Sequence, residues 1–384
     1  MTKKYLIAPG PTPVPEEVLL EMAKPVMHHR NAQFSAIFAE AREGLKPVFG
    51  TKQDVLILLS SGTAAMEAAL INTMSAGDRV LVINAGKFGE RFTMIAKAYG
   101  LVVDELVYEW GRVARAEDVK AYLDRHPDTK AVAVQGSETS TTVYHPIREL
   151  AEVVRGYKDT ILIVDGITSV GVHETRMDEW GIDILITGSQ KALMLPPGLA
   201  FIALSEKAWA MTKKSNLPKF YLDLTVELKN QKQDTTAWTP GVNLIYGLKA
   251  VVKMLKEEGY DNVYKRHTVC AEATRKGLQA LGMRLLAKDT PANSATGFFV
   301  PEGVNATAVE DYLREKVGVT LASGQDDIKG KAIRVSHLGY HSYFDTIIAL
   351  SAIEMALKVF GCDIKLGAGV AAAEAVIAAA FPAK

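Results

Sequence analysis

The chain has 384 residues, 44 basic against 44 acidic side chains, 48% apolar residues and 23% charged ones. That length exceeds one small core and suits a large domain with a smaller one attached, while the ordinary apolar-to-charged balance excludes a disordered chain. Zero net charge excludes a whole-chain field for nucleic acid or an anionic membrane, so any charge selectivity is local.

From the start, residues 1–9 hold basic side chains and an apolar stretch that Pro9 cuts short. It is too short for a signal-peptide core, so no export signal is expected. Cys270 and Cys362 have no CxxC spacing and no neighbouring histidine cluster, which argues against a disulfide framework or a zinc site and for a reducing, cytoplasmic compartment. Short β-branched runs at 55–59, 80–83, 102–107, 131–134, 161–164, 184–187 and 200–204 alternate with helical patterns at 64–74, 90–98, 116–123 and 147–155. Seven strands alternating with helices predict an α/β domain built on a parallel sheet. After Pro240-Gly241-Val242 a helical run at 244–256 leads through Glu257-Glu258-Gly259 into a mixed region. The boundary is placed there: an N-terminal arm 1–15, a large domain 16–257 and a small α+β domain 258–384. The small domain is expected to hold helices near 264–281 and 343–359 and strands at 297–300 and 332–335. The alanine-rich stretch 366–382 carries Glu374 and reads as a helix on the protein's own surface, not as a membrane anchor.

Three segments carry chemistry. Ser60-Ser61-Gly62-Thr63 follows a strand and opens a helix, where unpaired N–H groups and the positive dipole end can cradle a phosphate; the alternative is that Ser61 or Thr63 only caps the helix. Asp165 closes the apolar run 161–164, at the strand end where open α/β sheets place ligand-contacting groups, and an acid there can keep a pyridine nitrogen protonated. Lys191 closes Thr187-Gly188-Ser189-Gln190-Lys191 at the mouth of the same sheet, where partial desolvation leaves a neutral amine able to condense with an aldehyde.

Gly188-Ser189-Gln190-Lys191-Ala192-Leu193 with Pro196-Pro197-Gly198, Val164-Asp165 and Ser61-Gly62-Thr63 resembles the alanine–glyoxylate and serine–pyruvate branch of the class V aminotransferases, from Ala8-Pro9-Gly10-Pro11 to Arg334. The resemblance implies the fold type I, aspartate-aminotransferase-like architecture, with a seven-stranded, mostly parallel sheet in the large domain. It implies a homodimer with shared active sites and pyridoxal 5′-phosphate on Lys191. It further assigns Phe88 to stack on the pyridine ring and Ile167 to close the opposite face. Thr139 lies near the cofactor's phenolic oxygen, and Gln190 donates to its phosphate. Thr236 and Thr239 reach the partner's phosphate, and Arg334 binds the substrate carboxylate. Two departures stand out: relatives often carry tryptophan at Phe88, and glycine where this chain has Thr142. No metal is expected. The implied reaction is ping-pong transfer from alanine or serine to glyoxylate or pyruvate. Phosphonate-specific or aspartate transamination on the same scaffold remains open, as does a non-catalytic accessory subunit. A cysteine desulfurase is disfavoured because residues 321–331 hold no cysteine.

Overall fold

The computed structural model describes residues 3–381; the ends of the arm and tail, residues 1–2 and 382–384, lie outside. Seven strands form one sheet: β1 (Val55–Ser60), β2 (Arg79–Asn84), β3 (Val102–Val107), β4 (Thr129–Gln135), β5 (Ile161–Asp165), β6 (Ile184–Gly188) and β7 (Gly198–Leu204), in the order β1-β7-β6-β5-β4-β2-β3. All seven lie where the β-branched runs placed them. Only β7 runs antiparallel to its neighbours. A parallel pair needs a crossover of a dozen residues or more, and residues 189–197 are too few, so the chain turns straight back. That short reversal is the segment that carries Lys191.

Alternation along the strands splits the core into two layers. Ile57, Leu81, Val132, Leu162, Leu185 and Phe201 face one layer with Phe34, Phe38 and Leu45 of helix α1 (Ala32–Phe49). Leu56, Val80, Ala131, Ile161, Ile184 and Ile202 face the other, against α2 (Gly62–Thr73) and α3 (Lys87–Ala98). Each fully buried Ile, Leu, Val or Phe contributes about 1.5–3 kcal/mol, which makes the sheet a stiff base for its loops.

Helix α4 (Val242–Glu258) ends at Gly259, whose φ of 84° turns the chain into α5 (Tyr260–Ala280). Beyond it, a four-stranded antiparallel sheet that includes Ala295–Phe299 and Ala332–Ser336 packs with α5 and α6 (Tyr343–Val359) around its own core. The N-terminal arm joins this part: Tyr5–Leu6 pairs in parallel with Val319–Thr320, and Ile7 is buried there. The alanine-rich tail forms α7 (Ala368–Ala379), packed on α5 where Gly277 and Gly369 leave no room for a Cβ. No described helix is long and apolar enough to cross a membrane.

Candidate active site

Strands β1, β5 and β6 end on one edge of the sheet, and each delivers a different group to it. After β1, Ser61 is the N-cap of α2 but makes no side-chain capping bond. Its hydroxyl is therefore free for a ligand, beside the unpaired N–H groups of a twelve-residue helix. Thr63 Oγ1 does not cap either; it accepts from Arg91 at 3.2 Å. Gly62 is buried, and a Cβ there would lie 2.5 Å from Ile167 Cδ1, so glycine is required for the cradle to close on that side chain. Gln190 Oε1 is buried without a partner, near Gly188 and Gly62.

Asp165, at the end of β5, is 3% exposed, and its Oδ1 accepts from the Ile167 amide at 2.9 Å. Burial pushes its pKa up to about 7, and Arg91 and Lys191 pull the other way. Lys191 sits on the β6–β7 reversal. Its amine donates to the Pro9 carbonyl, and a Cβ on Gly10 would collide with it, so the arm roofs the lysine. Burial lowers its pKa to about 8, with Arg334 adding to the shift and Asp165 opposing it. An acid and an amine whose values approach each other in one pocket are suited to holding and moving a proton.

Arg334, on the strand Ala332–Ser336, is 8% exposed. Its Nη1 donates to the Thr139 carbonyl at 2.8 Å, and its Nε and Nη2 donate to the Ser323 carbonyl at 3.0 and 2.9 Å. No carboxylate pairs with it among the described residues, although a buried guanidinium favours one strongly. Thr139 Oγ1 shares a 2.7 Å hydrogen bond with Thr168.

Sequence reasoning missed several residues that join these groups. Glu138, fully buried, accepts from the amides of Phe88 and Gly89 at 3.0 and 3.1 Å and from Ser140, and so fixes the start of α3. Burial raises its pKa, and these donors offset the shift. Arg91 lies 4.8 Å from the Phe88 ring centroid while reaching Thr63, which ties the aromatic to the cradle. A carboxylate next to Thr139 and an arginine three residues after Phe88 were the available signals; the roofing carbonyl of Pro9 has none. Thr142 takes the left-handed conformation, φ 57°, which favours glycine, and its Oγ1 accepts from the Gly297 amide at 3.2 Å.

Hydrogen bonds, close approaches and mutual electrostatic influence gather Ser61-Gly62-Thr63, Phe88, Thr139, Asp165, Ile167, Gln190, Lys191 and Arg334 at this edge. Thr236 and Thr239 stand apart. Thr236 donates to the Trp238 carbonyl at 2.6 Å, and Arg30 braces the segment through Thr235 Oγ1 and the Thr236 carbonyl, both at 2.7 Å. Thr239 lines a narrow cleft with Leu59, Leu199 and Tyr221. Beside them Phe220 is 77% exposed and packs on Trp238.

The donor set fits a phosphorylated, aldehyde-bearing pyridine: a helix start with free N–H groups and an unengaged Ser61 hydroxyl for the phosphate end, a buried acid for the ring nitrogen and a desolvated amine for the aldehyde. A family model described as aminotransferase class-V matches residues 4–345. The soluble hydrogenase small subunit of Synechococcus sp. (strain PCC 6716) is 42% identical over 381 residues, 98% of this chain and 99% of that protein. The L-aspartate–glyoxylate aminotransferase of Paracoccus denitrificans is 34% identical, covering 96% and 95%. Among solved structures, the ureidoglycine–glyoxylate aminotransferase of Bacillus subtilis superposes with a TM-score of 0.92 at 30% identity, over 98% of this chain and 99% of that one.

Proposed function

Because the chain belongs to the class V aminotransferase family, we propose that it moves an amino group from alanine or serine to glyoxylate or pyruvate in a ping-pong cycle. Its cofactor is pyridoxal 5′-phosphate, which when bound supplies an aldehyde that joins to amines and a ring that draws electrons from the substrate's Cα. Ser61, Gly62, Thr63 and Gln190 hold its phosphate in this reading, Phe88 and Ile167 flank its ring, and Thr139 lies by its phenolic oxygen. Asp165 holds a proton at the ring nitrogen. Arg334 orients the substrate carboxylate, on a small lobe that begins near residue 258, so that the Cα–H bond faces Lys191. The Lys191 amine moves the Cα proton. Thr236 and Thr239 serve the other subunit's phosphate in a homodimer, a reading supported by the exposed Phe220 and Tyr221 beside them.

The observation that carries this reading is the convergence of a half-buried, desolvated amine, a buried acid and a guanidinium lacking a carboxylate among the described residues. A non-catalytic subunit has no use for that set, whatever the Synechococcus relative's name. The test is a panel of amino donors against glyoxylate, pyruvate and 2-oxoglutarate, ranked by kcat/KM. Alanine or serine with glyoxylate or pyruvate should rank first. A clear preference for aspartate or for an aminophosphonate would replace the substrate assignment, and no turnover with any pair would remove it.

A further inference from the structure

Arg334 and Lys191 lie on different parts of the fold, and two segments lead from the strand of the first onto the backbone of the second: the N-terminal arm, whose Ile7 carbonyl accepts from the Ser336 amide at 3.0 Å before Thr12 reaches the Lys191 carbonyl, and the residues that follow Ser336. After Ser336, residues 337–341 cross back toward the β6–β7 reversal. There Gly339, at φ 68°, comes so close that a Cβ would stand 2.9 Å from the Lys191 carbonyl oxygen and 3.0 Å from Met194 Cγ. The same Lys191 carbonyl accepts from Thr12 Oγ1 at 2.9 Å and from the Met194 amide at 3.0 Å.

Helix α5 holds this crossing from the outside. Arg266 Nη1 donates to the carbonyls of Gly339 and His341 at 2.8 and 2.9 Å. Its Nε and Nη2 donate to the two carboxylate oxygens of Glu258, at 2.7 and 3.0 Å, across the α4–α5 junction. The neighbouring His267 accepts the Gly339 amide on Nε2 at 3.1 Å, while its Nδ1 donates to the Val263 carbonyl at 2.7 Å. Gly339 is thus gripped at both its N–H and its C=O. The Arg266 side chain is 16% exposed and uses every one of its nitrogens. A bidentate fork of this kind loses little side-chain freedom per bond, so it holds position better than a lone contact would.

We propose that Arg266, held by Glu258, is a positioning residue that presses the Gly339 crossing onto the Lys191 loop and so fixes the separation between the carboxylate-binding guanidinium and the proton-transferring amine. This rests on the roles given above to Lys191 and Arg334. Neither Arg266 nor Glu258 touches the substrate; their effect passes through backbone carbonyls. A guanidinium held at the wrong distance from the amine captures the donor carboxylate in the productive pose less often, so a clamp remote from the chemistry is expected to govern substrate binding.

The test compares the wild type with Arg266→Gln, Arg266→Lys and Glu258→Gln. In the cofactor-free proteins, hydrogen–deuterium exchange should show the Gly339 and Met194 amides opening at least about tenfold faster in Arg266→Gln, with the amides of β5 unchanged. In the loaded enzymes, KM for the amino donor should rise about tenfold with kcat within about threefold, and Arg266→Lys and Glu258→Gln should fall between wild type and Arg266→Gln. A merely structural arginine would lower Tm and speed exchange throughout the sheet without moving KM. Unchanged exchange at Met194, uniform acceleration that includes β5, or an unmoved KM overturns the proposal. Should Arg266→Gln fail to fold, Arg266→Lys and Glu258→Gln decide it by the same readouts. If the wild type transaminates nothing, the function proposed above fails, and the exchange experiment still decides the clamp.

Discussion

The edge of the sheet at Lys191 and the edge at Thr236 are built on opposite principles. At the first, Asp165, Glu138, Thr139 and Arg334 are buried, Lys191 is half-buried, and all are bonded to one another or to backbone within one chain. At the second, Phe220 and Tyr221 face outward, and the bonds of Thr236 stay local. Low dielectric gives the first edge shifted pKa values and a defined geometry; at the second, the Thr236 hydroxyl is committed to the Trp238 carbonyl two residues on. In the proposed reading the first edge holds the proton chemistry within one chain, and the second contributes to the phosphate site of another subunit.

The sharpest way to break this contrast is at its centre. Lys191→Ala should cut transamination at least about a thousandfold, while circular dichroism and phosphate-dependent retention of the cofactor persist. Near-normal turnover would falsify the assigned role. Asp165→Ala should cost roughly a hundredfold or more in kcat and weaken cofactor retention, because a neutral alanine cannot hold the ring proton. Stopped-flow capture of pyridoxal phosphate by the cofactor-free protein checks the electrostatics. The reactive amine is the neutral one, and burial brings the Lys191 pKa down to about 8. The rate should therefore rise about tenfold per pH unit up to about 8 and then level off. A rise continuing to pH 10 would mean an ordinary solvated lysine.

At the other edge, Thr236→Val should raise the cofactor Kd by about threefold to tenfold, the loss of one hydrogen bond to a charged group, without changing the capture pH profile. Sedimentation of the wild type as a monomer would remove the reason for any such effect. The smallest change is expected at Thr142→Gly. It relieves a left-handed β-branched residue but loses the Oγ1 bond to Gly297, so thermal unfolding should move by roughly 1 kcal/mol or less. A larger loss would show that the hydroxyl outweighs the strain.

Much of this was legible because the informative features are local. A β-branched run ending in Asp165, another ending in Gly188-Ser189-Gln190-Lys191, and Ser61-Gly62-Thr63 at a strand-to-helix turn each state their chemistry within a few residues. Family resemblance then supplied Arg334, Thr139, Phe88 and Thr236, which no local pattern singles out. The reversed direction of β7 follows from the length of the 189–197 loop, but only with knowledge of which strands it joins.

The order of apolar and polar residues by itself determined where the strands lie and which side chains stand at their ends, because side-chain alternation and turn chemistry act over one or two turns of chain. Only the tertiary structure decided that the Pro9 carbonyl roofs Lys191, that Glu138 anchors the helix of Phe88, and that Arg266 grips Gly339. All three contacts join residues at least 50 positions apart in the chain, two are made by backbone carbonyls common to every residue, and their existence depends on how layers pack rather than on any signal in the sequence.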